Sequence, residues 1–169
     1  MCGVAGFVHL RGDSAPTIDA LNAVRDHMRA RGPDGAGSWI SQDGRVGLAH
    51  RRLSIVDLSA RGAQPMHAGA LSITFNGEIY NYRALRNELE SDGEEFVSDS
   101  DTEVLLKLYA RDGVAMFTRL RGMYAFGIWD GLRNELLLAR DPFGIKPLYY
   151  AESANAVWFS SQARALIDT

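Results

Sequence analysis

Apolar and polar positions alternate along much of this chain with the two-residue period of a half-buried strand. Runs of strand length cover residues 3–10, 46–55, 71–75, 123–129, 135–139, 148–151 and 157–160, most of them short and bounded by Gly, Asn, Asp or Pro. Two segments switch to the helical period: Ile18, Leu21, Val24 and Met28 before Gly32, and Val104, Leu105, Leu108 and Tyr109 before Gly113. A third, shorter helix is predicted from Tyr82 to about Leu89. Ser100 and Glu103 have the spacing of a capping box at the start of the second helix, and Asn81 is placed to cap the third. Turns rather than crossover helices join most of the strand runs, which favours antiparallel pairing and an α+β fold over a doubly wound parallel sheet. No repeat, low-complexity tract or linker interrupts the pattern, so the 169 residues read as one domain. Residues 162–167 open like a helix that is cut short, and the chain is expected to be part of something longer.

Composition works mainly by exclusion. The chain has 18 Lys and Arg against 21 Asp and Glu, for a net charge of −3, and its basic residues are scattered. Neither nucleic acid nor a membrane surface is an expected partner, because both need a concentrated basic patch. No stretch reaches the about 18 apolar residues of a membrane-spanning helix, and residues 3–10 lack the basic flank of a signal peptide. A single Cys makes no internal disulfide, so a cytoplasmic location is expected. The 4 His show no pair at zinc-motif spacing and no Gly-rich phosphate loop occurs, so neither a metal site nor a nucleotide is expected here. A homodimer stays open.

Four places carry candidate chemistry, each with a plainer alternative. Cys2 directly follows the initiator Met. Methionine removal would give its thiol a free α-amine as a local base, since the two groups have similar ordinary pKa values; the alternative is a small inert thiol at a strand start. Asn76-Gly77 reads as a hairpin turn with positive φ at both residues, or as an amide and a backbone N–H that together form an oxyanion hole. Arg52 is either a solvated strand residue or a two-pronged clamp for a carboxylate. Asp101 either complements a helix dipole or pairs with a substrate ammonium.

The wording around these residues is more specific than any of them alone. Met1-Cys2-Gly3-Val4-Ala5-Gly6 resembles the opening of the class II glutamine amidotransferases. Further stretches resemble the glutaminase domain of glutamine-hydrolysing asparagine synthetases. They are Arg31-Gly32-Pro33-Asp34-Gly35, Ala49-His50-Arg51-Arg52-Leu53-Ser54-Ile55-Val56-Asp57-Leu58 with Gln64-Pro65-Met66, Phe75-Asn76-Gly77-Glu78-Ile79-Tyr80-Asn81-Tyr82, and Ala139-Arg140-Asp141-Pro142-Phe143-Gly144-Ile145-Lys146-Pro147-Leu148-Tyr149-Tyr150. Ser100-Asp101-Thr102-Glu103 and Gly122-Met123-Tyr124-Ala125-Phe126 fall in the same order.

The resemblance implies an N-terminal nucleophile hydrolase fold, a four-layer αββα sandwich of two antiparallel sheets, with residues 1–169 a glutaminase domain cut before its last strands. It implies Cys2 as nucleophile, Asn76 and Gly77 as the oxyanion hole, and glutamine as substrate. Arg52 would take the glutamine α-carboxylate, Leu53, Ser54, Ile55 and Val56 the adjoining wall, and Asp101, helped by Glu78, the α-ammonium. No cofactor is implied in this domain; ATP and Mg would belong to an ammonia-accepting synthetase domain whose pyrophosphate loop this chain lacks. Two departures bear on subfamily and domain docking: Ala30 stands where many relatives have His, and Gln162 where many have Glu. Three functions remain to be separated: a glutaminase serving aspartate amidation, the same glutaminase serving another acceptor such as a sugar or a different carboxylate, and a catalytically idle regulatory domain.

Overall fold

The computed structural model describes residues 1–10, 15–53 and 60–167. Its strands are β1 (Gly3–His9), β2 (Gly35–Ile40), β3 (Val46–Arg52), β4 (Met66–Ala68), β5 (Leu71–Ile79), β6 (Gly122–Asp130), β7 (Glu135–Arg140), β8 (Tyr149–Glu152) and β9 (Ala156–Ser160), with helices α1 (Ile18–Asp26), α2 (Tyr82–Ser91) and α3 (Asp101–Asp112). The strands form two antiparallel sheets, ordered β2-β3-β1-β9-β8 and β4-β5-β6-β7.

Alternation along each strand assigns its two faces. Val46 and Leu48 of β3 meet Trp129 and Phe159 in an apolar layer between the sheets. The opposite face of the first sheet, with Ala5, Phe7 and Ala49, packs on Leu21 and Val24 of α1 and on Met28 just after it. Leu71, Ile73, Phe75 and Ile79 of β5 face outward onto α2 and α3, whose Leu85, Leu89, Val104, Leu105 and Leu108 complete the largest core cluster. The result is an αββα stack: its α+β class follows the turn-rich pattern, and its layering is the one the family resemblance implies.

Several local readings change. Asn76-Gly77 is no turn: β5 continues through both residues, which pair with Ala125 and Tyr124 of β6. Partners some fifty residues downstream override the local turn preference. The capping box forms only by half. Ser100 Oγ accepts the Thr102 N–H at 3.1 Å, but the Glu103 carboxylate turns to the Val97 and Ser98 N–H groups and the Ser98 hydroxyl. Asn81 does not cap α2 with its side chain; that amide joins Arg119 O to the Arg121 N–H and fixes the entry to β6. Residues 162–167 give a single 3-10 turn (Ala163–Leu166). β2 and β4 were not predicted; β2 is rich in Gly, and β4 has only three residues. No helix among the described residues is long and apolar enough to cross a membrane.

Candidate active site

The site lies where one end of β3 and β5 face each other across the two sheets. Register brings the N-terminus there: Gly3 of β1 pairs with Arg51 of β3, so Cys2 falls beside Arg52 and Leu53. The Leu53 N–H donates to Cys2 Sγ at 3.3 Å, and the thiol lies 3.5 Å from the Leu53 carbonyl. Arg31 Nε donates to the Cys2 carbonyl at 3.1 Å, fixing the peptide that carries the nucleophile candidate.

β5 supplies the opposite wall. In an antiparallel ladder the backbone groups of alternate residues point to opposite edges. Thr74, Asn76 and Glu78 turn theirs toward β6, and Phe75, Gly77 and Ile79 turn theirs toward the edge where β4 would continue. β4 ends after pairing with Leu71, Ser72 and Ile73, so beyond that point side chains take over. The Phe75 N–H donates to Gln64 Oε1 at 2.6 Å, and the Phe75 carbonyl accepts from His50 Nε2 at 3.1 Å. Four residues on, the Ile79 N–H donates to Asp101 Oδ2 at 3.1 Å. The Gly77 N–H between them opens toward the cleft.

A cavity of about 110 Å³ occupies this position, lined by Cys2, Arg52, Leu53, Asn76, Gly77, Glu78 and Asp101, together with His50, Gln64, Thr102, Met123 and Lys146. The structure therefore assembles every described residue of the sequence-derived set; Ser54, Ile55 and Val56 lie outside the described residues. Asn76 is 2% exposed. Of the five buried side-chain atoms without a hydrogen-bond partner among the described residues, Asn76 Nδ2 is the one whose residue lines this cleft.

Sheet packing itself calls for Gly at position 77. A Cβ there would stand 2.2 Å from the Met123 carbonyl and 2.8 Å from Tyr124 Cα, so the close approach of β6 demands Gly.

Burial sets the electrostatics. Asp101, 4% exposed, has its carboxyl pushed up to about 6, chiefly by desolvation, against the backbone N–H bonds that favour its anion and with a smaller contribution from Glu78. His50, 1% exposed, is held down to about 4 by the same desolvation, so at neutral pH it is an uncharged ring whose Nε2–H donates to Phe75 O. Asp141 organises the loop that brings Lys146 to the cleft: its carboxylate accepts from the Tyr124, Phe143, Ile145 and Lys146 N–H groups.

The sequence presents His50 and Gln64 only as parts of longer motifs. Their contacts go to peptide groups distant in sequence, and periodicity carries no signal for these.

Comparison with known proteins agrees with this geometry. Residues 1–169 match the family model described as a glutamine amidotransferase domain. The glutamine-hydrolysing asparagine synthetase 1 of Bacillus subtilis is 43% identical over 171 residues, which cover 99% of this chain and 27% of that protein. Amidase chry2 of Gibberella zeae is 37% identical over 178 residues, covering 99% and 26%. The chain thus spans about a quarter of the length of these relatives. Among solved structures, the glutamine phosphoribosylpyrophosphate amidotransferase of B. subtilis superposes with a TM-score of 0.80 at 23% identity, over 97% of this chain and 42% of that one. This chain therefore belongs to the glutamine amidotransferase domain family and carries its N-terminal nucleophile hydrolase fold.

Proposed function

We propose that this domain hydrolyses glutamine to glutamate and ammonia through a Cys2 thioester, and that the ammonia serves amidation of aspartate by a synthetase domain outside this chain. The observation that carries the reading is the buried, unpartnered Asn76 Nδ2 in the same cleft as the Cys2 thiol. Burying an amide donor without a partner costs about 1–3 kcal/mol, a cost that is offset when a developing oxyanion accepts from it.

Removal of Met1 frees the Cys2 α-amine, which takes the thiol proton. The thiolate attacks the side-chain amide carbon of glutamine, and the oxyanion accepts from Asn76 Nδ2 and the Gly77 N–H. As the tetrahedral species collapses, the C–N bond breaks and the α-ammonium protonates departing ammonia, leaving a γ-glutamyl thioester. The amine then deprotonates water, whose attack releases glutamate and restores the thiol. Arg52 takes the α-carboxylate, Leu53 the adjoining wall, and Asp101 with Glu78 the α-ammonium. ATP and Mg act in the synthetase domain. A second reading, in which the same glutaminase serves a different acceptor, is consistent with a relative that is named an amidase rather than an asparagine synthetase.

Cys2→Ala, and separately a form that retains Met1, should both lack glutaminase activity. Mass spectrometry of the N-terminus joined to an ammonia-release assay checks this; normal turnover by either form sinks the N-terminal nucleophile. An acceptor screen with ATP on the complete protein separates aspartate from other acceptors.

A further inference from the structure

The two poles of the cleft are tied together on both sides of the oxyanion dipeptide. On one side the Ile79 N–H reaches Asp101, the first residue of α3, at 3.1 Å. On the other, Gln64 spans the gap: Oε1 accepts the Phe75 N–H at 2.6 Å while Nε2 donates to Thr102 Oγ1 at 3.2 Å. Asn76, Gly77 and Glu78 are the three residues between these ties. Gln64 itself is braced against the first sheet, because its carbonyl oxygen would lie 2.0 Å from a Cβ at Gly37 of β2. The Gln64 side-chain amide therefore links the oxyanion strand to the first turn of α3, while its backbone lies against β2.

We propose that Gln64 is a positioning residue that sets the distance between the oxyanion donors and Asp101, and thereby makes the cleft discriminate glutamine from asparagine, its homologue one methylene shorter. The inference rests on the glutaminase reading, in which Asp101 holds the α-ammonium and Asn76 with Gly77 holds the amide oxygen. A substrate fixed at both ends reacts only if the span between its anchors matches its length, and a misplacement of about 1 Å can cost on the order of 100-fold in rate. With β4 ended, no strand pairing fixes Phe75 on its open edge, so the Gln64 and His50 side chains supply that constraint.

The test uses the full chain and two variants. Gln64→Met keeps length and volume while losing both hydrogen bonds. Thr102→Val removes only the α3 arm, and answers the question if Gln64→Met fails to fold. For either variant, kcat for glutamine should fall about tenfold or more, and the asparagine-to-glutamine ratio of kcat/KM should rise about tenfold. In an Asn76→Ala background the same substitution should cost less in kcat than it does in the unsubstituted protein, because one of the two donors it positions is already gone. An unchanged substrate ratio, or a full loss of kcat retained in the Asn76→Ala background, overturns the inference. Absence of glutaminase activity in the unsubstituted protein instead overturns the reading beneath it, so the two failures are distinct.

Discussion

Asn76→Ala separates catalysis from folding at a single position. The side chain is 2% exposed and its Nδ2 has no partner among the described residues, so the folded protein carries the cost of a buried unmade hydrogen bond, about 1–3 kcal/mol. Truncation relieves that cost and loses the packing of one amide-sized group, about 1–2 kcal/mol. The two nearly cancel, and unfolding free energy should change by no more than about 1 kcal/mol. Turnover should not be spared: removal of one oxyanion donor costs about 2.7–4 kcal/mol of transition-state stabilisation, or roughly 100- to 1,000-fold in kcat. KM for glutamine should stay within about threefold, since the groups proposed to hold its α-carboxylate and α-ammonium are untouched. Steady-state glutamate release and urea unfolding on the same preparations read both quantities. A kcat within tenfold of the unsubstituted protein refutes the oxyanion role, and so does a kcat loss matched by more than about 2 kcal/mol of lost stability.

Asp101 and His50 titrate over the same acid range with opposite sign. The Asp101 carboxyl is raised to about 6 from 3.8, so the unfolded chain releases its proton first and stability falls as pH rises between those values; His50, lowered to about 4 from 6.5, makes stability rise with pH over a similar span. Each contributes on the order of 3 kcal/mol and the two largely offset. Asp101→Asn should therefore steepen the loss of stability on acidification from pH 6 to 4, and His50→Asn should reduce it; parallel urea curves for all three proteins would count against both assignments. In catalysis, KM for glutamine should climb as pH falls through about 6, where Asp101 gains its proton and no longer pairs with an ammonium; a flat KM profile argues against that contact. Gly77→Ala should destabilise by about 1–3 kcal/mol, because its Cβ meets the β6 backbone at 2.2 Å, and should lower turnover as β5 shifts; an unchanged urea midpoint contradicts the close approach.

Much of the architecture was legible in the chain because alternation and helical spacing are local. β1, β6, β7 and β9 and all three helices fall within a few residues of where the pattern puts them. What was not legible depends on partners far away in sequence. Asn76-Gly77 has the composition of a turn, and only the facing Ala125 and Tyr124 make it strand. β2 is Gly-rich and shows no alternation, yet β3 recruits it along six paired positions. At the site, Cys2 was legible from its place in the chain, and Arg52 and Asp101 from residue type and wording. Gln64 and His50 were not, since each acts on a peptide group of Phe75, and any residue other than proline at that position would offer the same two atoms.

The early end of β4 has one more consequence. An exposed sheet edge is a template on which a foreign strand can pair and seed aggregation. Here the vacated edge of β5 is covered in part by three side chains of different shape: Gln64 and His50 engage both backbone groups of Phe75, and Asp101 engages the Ile79 N–H. A foreign strand arriving there would meet three side chains in place of a continuous ladder, so the early end of β4 does not present the long unpaired edge on which a second copy could zip.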